Sequence, residues 1–162
     1  MKFQIRITAL LIILVVIGAS QDWQSANLLE SGASVSASGF TAFPQIGLVI
    51  AIQLLIFFGA RYWSKWPAVV ATSLAAVLSL LALSSIFGVI FESNLNLISA
   101  KVAAATGIAD WSSQQDAIHN NQTNHLAIWL TLVASSLLVL WSLRAPFVRR
   151  AAKPSTANEW LN

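Results

Sequence analysis

The chain has 162 residues, 57% of them hydrophobic and only 9% charged, where a soluble domain carries about a quarter charged residues; this composition argues against buried helices in a soluble core, and one membrane domain with short connections is expected. Nine Lys and Arg against six Asp and Glu give a formal charge of +3, yet Lys2, Arg6, Arg61, Lys65, Arg144, Arg149, Arg150 and Lys153 all flank apolar runs, so they read as topological determinants and not as nucleic-acid contacts. The absence of cysteine excludes disulfides, thiolate metal sites and thiol redox chemistry.

Met1–Ser20 opens with Lys2 and Arg6, followed by an apolar run from Ile7 to Ala19. A run this short is typical of a signal-peptide core, and Gly18-Ala19-Ser20 passes as a small-residue cleavage site. Against cleavage, Phe3 and Ile5 extend the apolar stretch and Arg6 can snorkel to the interface, so a retained helix over about 4–20 is expected. Retention gives four spans with both ends inside; cleavage gives three with a new N-terminus outside. Gln21–Ala42 comes next as an external loop with acidic Asp22 and Glu30. Trp23 is expected as an anchor at the outer interface, and Ser34–Phe40 alternates weakly, as a short strand or a flexible linker would.

Two long apolar runs succeed it, Phe43–Ala60 and Pro67–Phe91, about 27 Å and 37 Å as helices. They predict a transmembrane hairpin with helices over about 43–61 and 67–91. Pro44 and Pro67 sit in first turns, where a missing N–H costs nothing. The connection carries Arg61 and Lys65 with Tyr62, Trp63 and Trp66, a basic aromatic turn suited to the inner interface. The second helix of the pair bears a ladder of small residues, Ala68/Thr72/Ala76 beside Ala71/Ala75/Ser79/Ala82. Small residues at four-residue spacing let backbones approach closely in lipid, so this helix is expected to be the most buried.

Glu92–Asn124 is the second external loop. Leu95, Ile98, Val102 and Ala105 recur at helical intervals with Gly107 as a stop, predicting a short amphipathic helix on the outer surface. Lys101, the one external base, is expected to pair with Glu92. Ser112-x-x-Gln115 resembles a capping box, and Asn121-Gln122-Thr123 matches a glycosylation sequon by chance. Asp110, Asp116, His119 and His125 form the titratable cluster. Asp116 and His119 are spaced to share a helix face, but His119 and His125 lack the spacing of a helical metal pair, so a solvated rim is the better reading.

The last span is expected over 126–143, with Trp129 and Trp141 near its ends as an aromatic belt requires. Arg144, Arg149, Arg150 and Lys153 stop it on the inside. Residues 1–145 thus form a single transmembrane domain, and 146–162 a basic, disordered cytoplasmic tail. With four spans, eight of the nine Lys and Arg (all but Lys101) fall inside and five of the six acids (all but Glu159) fall outside. The expected class is an all-α, four-transmembrane-helix bundle with both termini cytoplasmic.

Gln53, Ser79, Ser135 and Ser136 fall at one depth near the bilayer midplane. They are expected to hydrogen-bond between helices, at about 0.6–2 kcal/mol each; a polar transport site at that depth is the sharper alternative. No ionisable residue joins the layer, and no nucleophile elbow, phosphate loop or dinucleotide fingerprint occurs. The expectation is a protein without enzymatic activity, cofactor or metal.

Ala19-Ser20-Gln21-Asp22-Trp23-Gln24-Ser25-Ala26, then Val35-Ser36-Ala37-Ser38-Gly39, then Ala42-Phe43-Pro44 together resemble small actinobacterial membrane proteins associated with tryptophan-biosynthesis operons. Glu159-Trp160 echoes that family's acidic, Trp-containing tail, though its closing Pro-Thr is absent here. The resemblance implies a multi-pass protein of the bacterial cytoplasmic membrane with no assigned catalytic residues. The leading expectation is an accessory or assembly subunit with a membrane-protein partner or a homo-oligomeric arrangement, its partner face being the small-residue ladder or the loops. The alternatives are a homo-oligomeric transporter component for a small aromatic metabolite, and an external binding module made of the two loops.

Overall fold

The computed structural model describes residues 2–59, 65–91 and 95–144. In chain order they form α1 (Lys2–Ser20), β1 (Asp22–Leu28), β2 (Ser34–Ser38), α2 (Gly39–Ala42), α3 (Gln45–Gly59), α4 (Lys65–Ile90), α5 (Ser99–Thr106), α6 (Trp111–Gln114), β3 (Ile118–Thr123) and α7 (His125–Ser142). The chain is therefore mostly helical. The expectation of an all-α fold is corrected by a three-stranded antiparallel sheet, ordered β2-β1-β3.

Among the described residues two helices are long and apolar enough to cross a membrane by length and composition: α4 over Trp66–Ile90, at mean hydropathy 2.3, and α7, at 1.7. α1 and α3 are shorter apolar helices, counted over Gln4–Ser20 and Gln45–Gly59. Hydropathy alone accounts for these elements. Apolar side chains leave the backbone to satisfy its own hydrogen bonds locally, which only a helix does within one segment.

α7 is the hub, packed against α1, α3 and α4. Half of its apolar window is buried, against 28% for α4. This corrects the expectation that the alanine-rich helix is the most enclosed. α4 buries its small-residue side and turns Val70, Leu74, Val77, Leu78 and Leu81 outward, whereas α7 has neighbours on three sides. α1 lays a stripe of Thr8, Leu11, Val15 and Ala19, at three- and four-residue intervals, against it. The shared core includes Val15, Ile46, Val49, Ala76, Leu83, Ile86, Ile128, Leu132 and Val139.

The strands come from both connecting segments. β1 leaves the end of α1, β2 leads into α2, and β3 leads into α7, so the sheet stands at one end of the helical body. The expected alternation over Ser34–Phe40 is a strand as far as Ser38. There the Ser38 hydroxyl accepts from the Thr41 amide (3.4 Å) while the Thr41 hydroxyl accepts from the Ser38 amide (2.9 Å), a capping box that starts α2.

β1 and β3 are departures from the expected loops. The helix expected around Ile98 and Val102 is α5, ended by Gly107 at φ 76° as a left-handed C-cap. Its apolar side does not lie on an outer membrane surface. Val102 and Ile98 close a second small core with Ala26, Leu28 and Ala37 of the sheet. The N-cap of α6 is Asp110, which accepts from the Ser113 amide, not Ser112 as the expected capping box would have it.

Candidate functional site

Three places carry the polar groups: the middle of the helical body, the joint between sheet and helices, and the exposed turns around Asp110. In the first, Gln53 of α3 and Ser79 of α4 are both buried, and the Gln53 amide donates to Ser79 Oγ at 3.0 Å. Ser135 of α7 is also buried, and Ser136 is half-buried. Among the described residues Gln53 Oε1 and Ser135 Oγ have no hydrogen-bond partner. The layer thus joins α3 to α4 by one side-chain bond and leaves an acceptor and a hydroxyl facing the interior.

The ladder residues Ala68, Thr72, Ala75, Ala76 and Ser79 are all buried inside the chain. This corrects the expectation that they offer a face to a partner, because the chain's own helices already occupy them. Thr72 and Thr131 bond their own helices' carbonyls, at Ala68 and Ala127, as hydroxyls in apolar surroundings do when no other acceptor is near.

The joint is built around Trp23, and here the sequence expectation is corrected again. Trp23 is not an interface anchor; it is 0% exposed. Its indole N–H donates to the Gly18 carbonyl at 3.0 Å, and its ring meets Phe43 at 5.7 Å between centroids. Gly39 lies against the same ring, where a Cβ would come within 2.5 Å of it. The end of α1, the start of β1, α2 and the approach to α3 are thus clasped about one indole. A ring of this size buried here is the largest single hydrophobic contribution in the joint.

Gln24 beside it is buried too. Its amide donates to the Leu95 carbonyl (2.8 Å) and to Asn121 Oδ1 (3.0 Å), tying the first connecting segment to the second. Two adjacent residues face inward because a β-bulge interrupts the pairing between Asp22 and Gln24. Sequence alternation therefore concealed Gln24, and no local signal marks it. Gly18 was visible only as part of a supposed cleavage site. It is instead a close contact, its position 2.4 Å from Thr131 Oγ1 for any added Cβ.

At the foot of the sheet an open polar cleft of about 370 Å³ is lined by Gln21, Asp22, Ser25, Gln122, Thr123 and Asn124. Asn124 also caps α7, accepting from the Ala127 amide at 3.1 Å.

Trp66 is 76% and Trp129 46% exposed, and Trp129 packs edge-on against Phe91 at the sheet end. Trp141 is half-buried with the Arg144 guanidinium over its ring. Trp63, the Arg61 turn, Glu92 and the tail 146–162 lie outside the described residues. Lys101 Nζ donates to the Ser36 carbonyl of β2.

The titratable cluster does not converge. Asp116 lies in a 3-10 turn and His119 in β3 opposite Asn27, so the expected shared helix face does not form. Among the described residues no three His, Asp or Glu are placed to hold a metal ion. The hydroxyl of Ser112 and the amide of Ser113 hold the Asp110 carboxyl below the usual carboxylate range. Comparison with protein-family models, with curated proteins and with solved structures gives no match for this chain.

Proposed function

We propose that the chain is a four-span protein of the bacterial cytoplasmic membrane with both ends inside, acting without catalysis as an accessory or assembly subunit that holds its outer sheet toward a partner. The observation that carries this reading is the clasp at Trp23 and Gln24. It makes one folded platform from two connecting segments and fixes that platform to the helices. A platform so fixed presents its surface without the ordering cost that a flexible loop would meet on binding.

Sequence charge supports the orientation: four of the six acids, Asp22, Glu30, Asp110 and Asp116, belong to the sheet end, and basic Arg6 and Arg144 belong to the other. α1 and α3 serve as spans in this reading, with α1 retained, since Gly18 and Ala19 are helical and buried against α7. The partner surface is β3, an edge strand whose residues His119, Asn120, Asn121 and Gln122 are exposed. The resemblance to proteins of tryptophan-biosynthesis operons supports a bacterial setting and supplies no mechanism.

Purification in mild detergent tests the reading. A stoichiometric partner held by the wild type and released by Asn120→Lys with Gln122→Glu, two exposed positions, is the expected result. A partner indifferent to that pair of changes, or none at all, sinks it. Lys2 at the mature N-terminus and reporter tags at both ends on the cytoplasmic side are expected; tags on opposite sides overturn the topology. The transporter reading rests on the unpartnered Gln53 Oε1 and Ser135 Oγ. Metabolite flux in proteoliposomes of the pure protein, lost in Gln53→Leu, would put it first.

A further inference from the structure

α1 and α7 meet tightly at the sheet end and leave a space at the other. At the sheet end Gly18 brings the helices together, since any Cβ there would stand 2.4 Å from Thr131 Oγ1 and 3.0 Å from the Ala127 carbonyl oxygen. Away from the sheet, a cleft of about 450 Å³ opens between the same two helices, lined by Ile7, Leu11, Leu137, Leu140, Trp141 and Arg144. Its walls are apolar and its rim is basic. The Arg144 guanidinium lies 5.7 Å from the centroid of the Trp141 ring, a cation–π arrangement that orients its donors. Exposed Arg6 precedes Ile7 on the facing helix. The described carboxylates, Asp22, Glu30, Asp110 and Asp116, all belong to the sheet end.

We propose that this cleft binds an anionic phospholipid, one acyl chain lying along Ile7, Leu11, Leu137 and Leu140 and the phosphate held by Arg144, with Arg6 adding to the field. The inference rests on the membrane reading above. An apolar cleft open to hydrocarbon takes up a chain at no dehydration cost. A guanidinium at its rim matches a phosphate with two parallel donors, and basic pockets between helices on the cytoplasmic side select anionic headgroups. A second copy fits the face poorly: a two-fold contact along the membrane normal would set Arg6 and Arg144 at the level of their own duplicates, like charge against like.

The test uses the full chain in mixed detergent micelles holding equal amounts of dioleoyl phosphatidylglycerol and dioleoyl phosphatidylcholine, with the lipid carried by the repurified protein measured by mass spectrometry. The expected result is roughly a fivefold excess of phosphatidylglycerol, the size of one basic contact near a headgroup. Arg144→Gln should bring the ratio close to one with phosphatidylcholine uptake unchanged, and Leu137→Trp, filling the cleft, should lower both lipids. High salt should reduce the wild-type ratio, which serves where Arg144→Gln does not fold. No excess in the wild type, an excess that survives Arg144→Gln or salt, or uptake indifferent to Leu137→Trp would each overturn the site. So would disulfide-linked dimers of Leu137→Cys that exclude lipid. Recovery of the protein from the aqueous fraction without detergent would instead sink the membrane reading itself, whereas a membrane-embedded protein lacking the lipid preference sinks the site alone.

Discussion

The helical body and the sheet obey opposite rules of construction. Past their first turns, the backbone bonds of α4 and α7 close within each helix, and apolar length specifies them. The sheet takes its strands from segments nearly a hundred residues apart: β1 pairs with β3, and Gln24 bonds Asn121 across 97 positions. Among the described residues, the buried polar groups of the long helices are hydroxyls and the one amide of Gln53. The sheet is mostly polar, and a fully buried indole is the largest apolar group at its joint with the helices. The comparison teaches that attachment, more than strand composition, fixes the position of the outer part of this protein.

The strongest way to break that comparison is Trp23→Ala. Removing a fully buried Trp costs about 3–5 kcal/mol, and the loss should fall on the joint. Limited proteolysis should then cut Gln21–Ala42 while α7 stays protected; equal protection of both parts would show that the indole is not the attachment.

Gly18→Val comes next. Its Cβ collides with Thr131 and with the Ala127 carbonyl, at a cost of about 1–3 kcal/mol for overpacking. A lowered melting temperature is expected, recovered in part by Thr131→Ala. No recovery would mean that the contact with the backbone oxygen dominates.

Within the helices, the Gln53–Ser79 bond should show a coupling of about 0.6–2 kcal/mol in a double-mutant cycle of Gln53→Leu and Ser79→Ala. A coupling near zero would leave the alignment of α3 and α4 to apolar packing alone.

The smallest effect is on the sheet side. Because the folded Asp110 carboxyl is held below its ordinary value of 3.8, its cap on α6 contributes fully above that value and is lost as pH falls through the lower folded one. Amide exchange at Ser113 should speed up over that acid window in the wild type and stay flat there in Asp110→Asn; a flat wild-type profile would refute the cap.

Sequence alone settled the features that solvent and local hydrogen bonding dictate: the apolar helices, the helix stop at Gly107, and the inward-facing polar residues at Gln53 and Ser79. Each is decided by neighbours within a turn or two, or by the absence of water. Only the tertiary structure decided that Trp23 is buried and not at an interface, that α7 and not α4 is the hub, that Gly18 is a helix contact, and that Ile118–Thr123 is a strand. These depend on partners far along the chain. A bulge beside Asp22 erased the alternation that would have marked β1, and the run Ile-His-Asn-Asn-Gln-Thr has little strand preference of its own until β1 supplies the hydrogen bonds.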